Sequence, residues 1–429
     1  MQSGGPTVAS VNSISTRRPL PNINQRWFSK STTSSSDCLK SPKSSISTVK
    51  RNLLPKLLIR PTNEITHRLS ITIPLSTMYG YTPTSLTDPV ILAADESIEL
   101  GTQVISPGGS LANVFPILKY VPWTWTQRMA KEIRRLTEEM KSIPLEALKK
   151  DMVSVQVHYE SMISDYEFKA NGTASPCLVG EFLEKKQVYG ATEEEEETIL
   201  NVANTVYGAA SDTTISATES LFYLLTTHPD VQAKAQAELD NVLLEGGMPR
   251  LPTLEDRPSL PYIEAIYREV MRWGPPLPLG LPHATTEDDW YKGYFIPKGT
   301  IISPNIWAMT HDENRYPEPM AFKPERFLND DGTLNQDDRI LAYGFGRRVC
   351  VGKHVASSTL WLAIACVLAC FNLEPKRDAD GNVIDIDDKV HEEGLLAHKT
   401  PFKCNIEPRS VEWMSLVETL SPKNQDKYN

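Results

Sequence analysis

Apolar residues recur at helical spacing along most of the chain from Val49 onward. The stretches with this period are residues 49–58, 65–78, 90–104, 126–141, 145–166, 192–227, 229–244, 259–273 and 355–371. Apolar positions three and four residues apart share one face of an α-helix, so each stretch is predicted to be helical. Two stretches, 275–302 and 380–406, instead mix short apolar runs with Gly, Pro or polar residues, which favours small strands and turns. The predicted fold class is mainly α with small β-sheets.

The longest predicted helix has a start and a stop in the sequence. Thr192 and Glu195 have the spacing of a capping box, and acidic residues fill the first turn after Thr192. His228 precedes Pro229, and a residue before proline is biased away from helical backbone angles. This helix is therefore predicted to run from Thr192 to about Thr227.

The first 48 residues lack a periodic apolar pattern and are rich in Ser, Thr, Pro, Lys and Arg. Residues 1–60 hold ten Lys and Arg and a single acid, Asp37. Residues 1–48 are therefore predicted to be a disordered basic segment, and residues 49–429 the folded domain. An Arg- and Ser-rich, acid-poor segment is also typical of a targeting peptide, which is the alternative interpretation.

Net charge and cysteine spacing exclude some function classes. A formal charge of −10 argues against nucleic acid as the main partner. The six cysteines form no Cys-x-x-Cys pair and no zinc spacing, which favours a reducing compartment. The longest apolar run, residues 360–371, is shorter than the roughly 20 residues of a membrane span, so it is predicted to be a core helix.

Aromatic and aliphatic residues crowd a proline-broken loop at residues 106–125. The segment from Val114 to Trp125 is predicted to be a surface patch that contacts a membrane interface, where Trp and Tyr are enriched. A lid over the hydrophobic core is the alternative.

Cys350 stands in a glycine-punctuated loop directly before an apolar helix. Gly346 and Gly352 flank it, and Arg347 and Arg348 add positive charge. A helix N-terminus and nearby cations favour a thiolate, and such a thiolate can be an axial ligand of haem iron. A buried free cysteine before a core helix is the alternative.

Small side chains interrupt the longest helix near its middle, at residues 208–214. Thr213 follows an acid, Asp212, and its hydroxyl can bond back to the carbonyl of Ala209. The turn is therefore a candidate pocket for a small ligand beside an acid that relays protons. Tight helix packing with a solvated aspartate is the alternative.

Two charged pairs occur on the helix predicted at 259–273. Glu269 and Arg272 lie three residues apart on one face, and Arg326 is a further arginine downstream. Glu264 and Arg268, four apart, are interpreted as a surface pair.

Together, these motifs resemble the cytochrome P450 family. The positions that recur in the family's haem-binding loop are occupied by Tyr343, Gly346, Arg348, Cys350 and Gly352. Tyr343 replaces the usual phenylalanine and Val351 a common proline, and neither change removes the ligand. Four motifs occur in family order: the small-residue helix turn, Glu-x-x-Arg, Pro-Glu-Arg-Phe and the cysteine loop.

The resemblance implies roles for the other candidates. Thr213 corresponds to the oxygen-pocket threonine, Asp212 to the acid before it, and Ala210 to a position where glycine is usual. Glu269, Arg272 and Arg326 correspond to a buried ion network behind the haem. His283 occupies the place of a basic residue that binds a haem propionate. The residues expected to face the substrate are Val206, Tyr207, Leu277, Leu279, Leu281, Leu395 and Leu396.

The implied function is insertion of one oxygen atom from O2 into a small lipophilic substrate, with haem b iron ligated by Cys350. Electrons would come from NADPH through a separate cytochrome P450 reductase that docks near Arg347 and Lys353. The resemblance points to fungal members of secondary metabolism and to the endoplasmic reticulum membrane, although the sequence shows no membrane anchor; otherwise the protein is expected to be cytoplasmic. A haem-thiolate isomerase or dehydratase and a non-catalytic fragment are the alternatives.

The resemblance covers roughly residues 49–410. No Trp-x-x-x-Arg motif, whose arginine binds a propionate in the family, precedes residue 121. The domain is therefore expected to lack the family's N-terminal anchor, first sheet and early helices, and to bind haem poorly.

Overall fold

A computed structural model of the protein describes residues 62–83, 85–105, 115–121, 124–162, 176–387, 390–391 and 395–420. The predicted basic segment 1–48 and the predicted helix 49–58 lie outside these residues. The described residues are mainly helical with small two-stranded sheets, which confirms the predicted fold class.

Ten α-helices occur among the described residues. They are α1 (Thr62–Tyr79), α2 (Pro89–Ile105), α3 (Trp125–Met162), α4 (Leu178–Tyr189), α5 (Glu193–Thr227), α6 (Pro229–Leu243), α7 (Pro261–Trp273), α8 (Ile306–Thr310), α9 (Lys353–Cys370) and α10 (Val411–Thr419). The predicted capping box at Thr192 is present, with the Glu195 amide and carboxylate both bonded to Thr192. Helices α4, α8 and α10 were not predicted.

Helix α3 continues through Pro144, so the prediction of two separate helices, 126–141 and 145–166, is wrong. A proline inside a helix removes one backbone hydrogen bond and crowds the carbonyl four residues earlier. Here Met140, Pro144 and Leu148 are all buried, four residues apart on one face, in a helix that packs against α2. Burial of this face on both sides of the proline offsets the local loss of hydrogen bonding.

Ten short strands pair antiparallel in five two-stranded sheets. The pairs are β1 (Leu244–Glu245) with β2 (Met248–Pro249), β3 (His283–Ala284) with β6 (Ile301–Ile302), β4 (Asp289–Tyr291) with β5 (Tyr294–Ile296), β7 (Phe371–Pro375) with β10 (Cys404–Pro408), and β8 (Val390–His391) with β9 (His398–Lys399). Strand β7 directly continues α9, so the β7–β10 sheet closes the end of that helix.

Helix α5 passes through two hydrophobic clusters. Its first half buries Leu200, Ala203 and Tyr207 against α1 to α4. Its second half, residues 217–225, packs with α6, α7, α9 and β7. Each fully buried large aliphatic side chain stabilises the fold by about 1.5–3 kcal/mol, so α5 is held strongly at both ends. The change between clusters falls at Ile215, directly after the small-residue turn.

Helix α9 is buried from Thr359 to its end at Cys370. Among the described helices it alone is long and apolar enough to cross a membrane. Its burial against α5, α6 and α7 is that of a core helix, as the sequence predicts.

The carboxylate of Glu269 is fully buried, with a side-chain exposure of 0%, and it is surrounded by donors. The two Arg272 nitrogens Nε and Nη2 lie 2.6 and 2.8 Å from its two oxygens, and Arg326 Nε lies 3.0 Å from Oε1. The backbone amide of Lys323 donates to the same oxygen at 2.9 Å. Arg272 also donates to the carbonyl of Thr310 at 2.9 Å, so the network joins α7, α8 and the segment around residues 323–326.

The interpretation of Glu264 and Arg268 as a surface pair is wrong. Both side chains are largely buried, and Arg257 adds a second ion pair to Glu264 at 2.7 Å. Arg268 also donates to the carbonyls of Asn335 and Asp337. Helical spacing shows which residues are neighbours on α7, but it does not show that chain segments from either side enclose them.

Replacing Glu269 with glutamine should strongly destabilise the protein. Two buried arginines would lose their shared negative partner, and breaking a buried ion pair typically costs about 3–5 kcal/mol. Chemical denaturation of the full chain measures the free energy of unfolding. Glu138→Gln is the matched control, because the Glu138 side chain is 64% exposed where it pairs with Lys141 on α3, and pairs with an exposed partner contribute about 1 kcal/mol or less. Equal losses in the two variants would contradict the structural role of Glu269.

Candidate functional site

The loop that carries Cys350 is held by its own backbone. Gly344 and Gly346 have positive φ angles of 78° and 56°, which glycine adopts without the penalty of a side chain. The amide of Cys350 donates to the carbonyl of Tyr343 at 2.8 Å, and the amide of Lys353 donates to the carbonyl of Cys350 at 3.3 Å. The cysteine therefore lies immediately before the first turn of α9, as the sequence predicts, and it is exposed rather than buried.

Gly352 lies beside the thiol of Cys350. A Cβ atom added at this glycine would sit 3.8 Å from the Cys350 sulfur, within van der Waals contact. The backbone here has an ordinary negative φ, so the glycine is not required by backbone strain. Its absent side chain leaves that side of the thiol uncovered.

Tyr343 anchors the loop through its side chain as well as its carbonyl. Its hydroxyl lies 3.1 Å from the hydroxyl of Tyr267 on α7. Burial and the neighbouring Tyr267 both raise the pKa of Tyr343, so the phenol stays neutral and able to donate. The structure thus places the Tyr343 ring behind the cysteine loop, against α7.

The small-residue turn of α5 has the local hydrogen bond that the sequence suggests. Thr213 Oγ1 donates to the carbonyl of Ala209 at 2.8 Å. Ala209 is exposed, and Ala210 and Thr213 are half-buried, while Ser211 is buried on the opposite face. Beyond this turn, α5 packs against α9, the helix that follows the cysteine loop.

Asp212 is not a free, solvated acid. Its Oδ1 lies 3.3 Å from Nε2 of His398, and Nδ1 of the same imidazole lies 3.0 Å from Oε2 of Glu219. His398 belongs to β9, far along the chain. The sequence shows that Asp212 and Glu219 are two helical turns apart on one face, but it gives no signal for their partner.

Arg348 and His283 are both exposed. Arg348 belongs to the cysteine loop, and His283 begins β3, paired with Ile302 of β6. Within the part of the chain that the structure describes, neither side chain forms an ion pair, so both basic groups remain open to an anionic partner.

The residues expected to face a substrate differ in their exposure. Leu279 and Leu281 are 51% and 55% exposed, and Val206, Leu277, Leu395 and Leu396 are half-buried. Tyr207 is fully buried, and its hydroxyl donates to the carbonyl of Val90 on α2 at 3.2 Å, so its assignment to the substrate face is wrong. It lies on the core face of α5, four residues before the buried Ser211.

The available donors fit haem better than a free metal ion. Among the described residues no group of three or more His, Cys, Asp or Glu side chains could hold a metal ion. A single exposed thiol can therefore ligate a metal that brings its remaining ligands with it, as the four nitrogens of a porphyrin do. The small side chains of α5 and the two basic groups Arg348 and His283 also suit a flat, dianionic macrocycle.

Comparison with known proteins identifies the family of the chain. The family model described as Cytochrome P450 matches residues 59–406. Cytochrome P450 monooxygenase 98 of Postia placenta is 37% identical over 342 residues, which are 78% of this chain and 62% of that protein. Cytochrome P450 monooxygenase 176 of the same organism is 36% identical over 85% of this chain and 68% of its own length. Cytochrome P450 monooxygenase claR of Ampulloclitocybe clavipes is 37% identical over 75% of this chain and 56% of its own.

The chain thus spans about three fifths of the length of the curated relatives it matches. These relatives are fungal, which confirms the expected similarity to fungal members. The matched residues include the turn at Asp212, the Glu269 network and the loop of Cys350, and the chain belongs to the cytochrome P450 family.

Proposed function

We propose that this chain forms the haem-thiolate centre of a monooxygenase that acts on a small lipophilic substrate. The observation that carries the proposal is the position of one exposed thiol. Cys350 immediately precedes α9, which packs against the helix that holds Asp212 and Thr213. In an oxygen-activating haem site, Cys350 would ligate the iron from one side. Asp212 and Thr213 would supply protons on the other side.

Haem b is the proposed cofactor. When bound, its iron supplies the binding and activation of O2, and a cysteine thiolate donates electron density that favours O–O cleavage. Cys350 would hold the iron, and the propionates would pair with Arg348 and His283. Ala209 and Ala210 would leave room on the other side, where a larger side chain would project toward the macrocycle.

The proposed reaction consumes one O2, two electrons and two protons. One oxygen atom enters a C–H bond of the substrate to give an alcohol, and the other leaves as water. NADPH supplies the electrons through a separate reductase. The protons pass by Asp212 and Thr213, whose hydroxyl is oriented by its bond to the carbonyl of Ala209.

Surface properties favour the proposed partners. The exposed Leu279 and Leu281 suit an apolar substrate. Arg347, exposed beside the cysteine, offers positive charge to an acidic reductase surface. Phe115, Ile117 and Tyr120 are exposed, as a membrane-contacting segment requires, and the association would be with the endoplasmic reticulum membrane. Val114 and Trp123 of the same segment lie outside the described residues.

Haem content and cofactor dependence test the proposal against its alternatives. The purified full chain, supplied with haem, should bind it at low occupancy, and the haem-loaded fraction should oxidise NADPH in the presence of a reductase, O2 and an apolar substrate. An isomerase or dehydratase would convert an oxygenated substrate without O2 or NADPH. A chain that takes up no haem when haem is supplied would be a non-catalytic fragment, and the proposal would be wrong.

Cys350 should be the sole thiolate ligand. The ferrous carbon-monoxide complex of the haem-loaded protein should show the red-shifted Soret band of thiolate ligation, and Cys350→Ala should abolish it. Cys366→Ala and Cys404→Ser are matched controls, because Cys366 is buried within α9 and Cys404 is half-buried in β10. A red-shifted band that persists in Cys350→Ala would overturn the assignment.

Thr213→Ala should uncouple NADPH consumption from product formation. Without the hydroxyl, protons are misdirected, so peroxide should rise and product per NADPH should fall by roughly tenfold or more. Thr213→Ser retains the hydroxyl and should remain coupled. Thr214→Ala is the neighbouring control and should change coupling little. Normal coupling in Thr213→Ala would remove this residue from the proton path.

A further inference from the structure

We propose that His398 is a positioning residue that connects strand β9 to the acid Asp212, and thereby couples substrate contact at residues 395–397 to proton delivery. This inference rests on the proposed function, since it gives the site a link between substrate and acid. It concerns three side chains that the family motifs do not connect.

The imidazole of His398 lies between two carboxylates on one face of α5. Nε2 is 3.3 Å from Oδ1 of Asp212, and Nδ1 is 3.0 Å from Oε2 of Glu219. Seven residues separate the two acids, which is about 10.5 Å along a helix, so one ring can contact both only when it lies between them. Both ring nitrogens face acceptors, and an imidazole can donate from both only when it is protonated.

The residue before His398, Ala397, is hydrogen-bonded to two other segments. Ser216 Oγ donates to the carbonyl of Ala397 at 2.5 Å. The amide of Ala397 donates to the carbonyl of Pro276 at 3.0 Å, in the segment that leads to Leu279 and Leu281. A displacement of residues 395–397 by a substrate would therefore be transmitted to the adjacent His398 and through it to Asp212.

The carboxylates of Asp212 and Glu219 stabilise the protonated form of His398. Burial lowers the pKa of His398, but hydrogen bonds and charge from Asp212 and Glu219 outweigh it and raise this pKa to about 10. Asp95 on α2 is exposed but near enough to interact electrostatically with Asp212: partial desolvation raises the pKa of Asp95, the neighbouring His67 on α1 lowers it, and the charge of Asp212 raises it.

The ammonium of Lys399, the next residue on β9, makes its described contacts with other groups than these acids. Its ammonium donates to the carbonyl of Asp387 and lies 4.4 Å from the ring centroid of Tyr223. Without His398, the three acids Asp95, Asp212 and Glu219 would repel one another, and the Asp212 side chain would turn away from its present position. Among the described residues the bridge engages Oδ1 of Asp212, which leaves Oδ2 for proton exchange beside Thr213.

A titration that needs no haem tests whether the bridge exists. In nitrogen-edited NMR of the full chain, His398 should keep both ring protons through neutral pH and titrate near pH 10. In the double variant Asp212→Asn, Glu219→Gln, its pKa should fall to the ordinary value of ~6.5 or below it, because burial then acts without the two opposing charges. An ordinary pKa for His398 in the unaltered chain would overturn the proposal.

The pH dependence of stability is the second haem-independent measurement. Because folding raises the pKa of His398, its stabilising effect is fully present below about pH 6.5 and is lost as the pH rises through about 10. The difference in unfolding free energy between the unaltered chain and His398→Gln should shrink across this range. His354→Gln, at an exposed histidine of α9, is the control and should show no such trend. A pH-independent difference for His398→Gln would also overturn the bridge.

Coupling in the haem-loaded enzyme tests the positioning role. His398→Gln should raise the fraction of NADPH electrons recovered as peroxide several-fold, while the Soret band of the carbon-monoxide complex stays unchanged. His398→Arg, which restores a cation able to reach both acids, should recover coupling in part. If the fraction of electrons recovered as peroxide is unchanged in His398→Gln, the contact of His398 with Asp212 has only a structural role, and the proposal is overturned. If the chain shows no haem activity at all, the proposed function fails, and the titration alone decides whether the bridge exists.

Discussion

The position of α5 in two hydrophobic cores is the constraint on which the rest of the described structure depends. Its first half is buried against α1 to α4 and its second half against α6, α7 and α9. Neither end can rotate or slide without exposing apolar surface in one core. The small-residue turn at residues 208–214 lies where the helix changes from one core to the other. Packing therefore fixes the backbone at Asp212 and Thr213 relative to the helix that follows Cys350.

Buried polar contacts then orient the segments around this packed frame. The Glu269 carboxylate joins α7 to α8 and to the segment of Arg326, and the hydroxyl pair of Tyr267 and Tyr343 joins α7 to the cysteine loop. Buried ion pairs contribute little net stability compared with apolar packing, but each is expensive to break and tolerates few geometries. Here they fix the position of α7 relative to its neighbours. The ion network joins α7 to α8 and the segment of Arg326, and the Tyr267 hydroxyl joins it to the cysteine loop.

The sequence predicted most helices because their stability comes from a periodic apolar face, which is a local property. The capping box at Thr192 was predictable because it too is a local pattern, formed by two residues three positions apart. The errors concern information that spacing does not contain. Tyr207 was assigned to the substrate face because the sequence does not show which side of α5 meets α2. Residues 126–141 and 145–166 were predicted as two helices, whereas burial on both sides of Pro144 maintains one.

The candidate site was predictable to the extent that its residues form contiguous motifs, as the loop of Cys350 and the turn at Thr213 do. The partner of Asp212 was not, because His398 lies 186 positions later and belongs to a two-residue strand that no periodicity marks. An acid on a helix looks solvated until a distant segment is placed against it. The same holds for Glu264 and Arg268, whose burial depends on chain segments on either side of α7.

The coordination of the iron tests the account most directly. X-ray absorption at the iron edge of the haem-loaded full chain should show one sulfur ligand beside the porphyrin nitrogens. Selective replacement of the Cys350 side chain should remove that sulfur and leave the nitrogens. Iron that has only nitrogen and oxygen ligands in the unaltered chain would contradict the account, because the thiol before α9 would then have no part in the site.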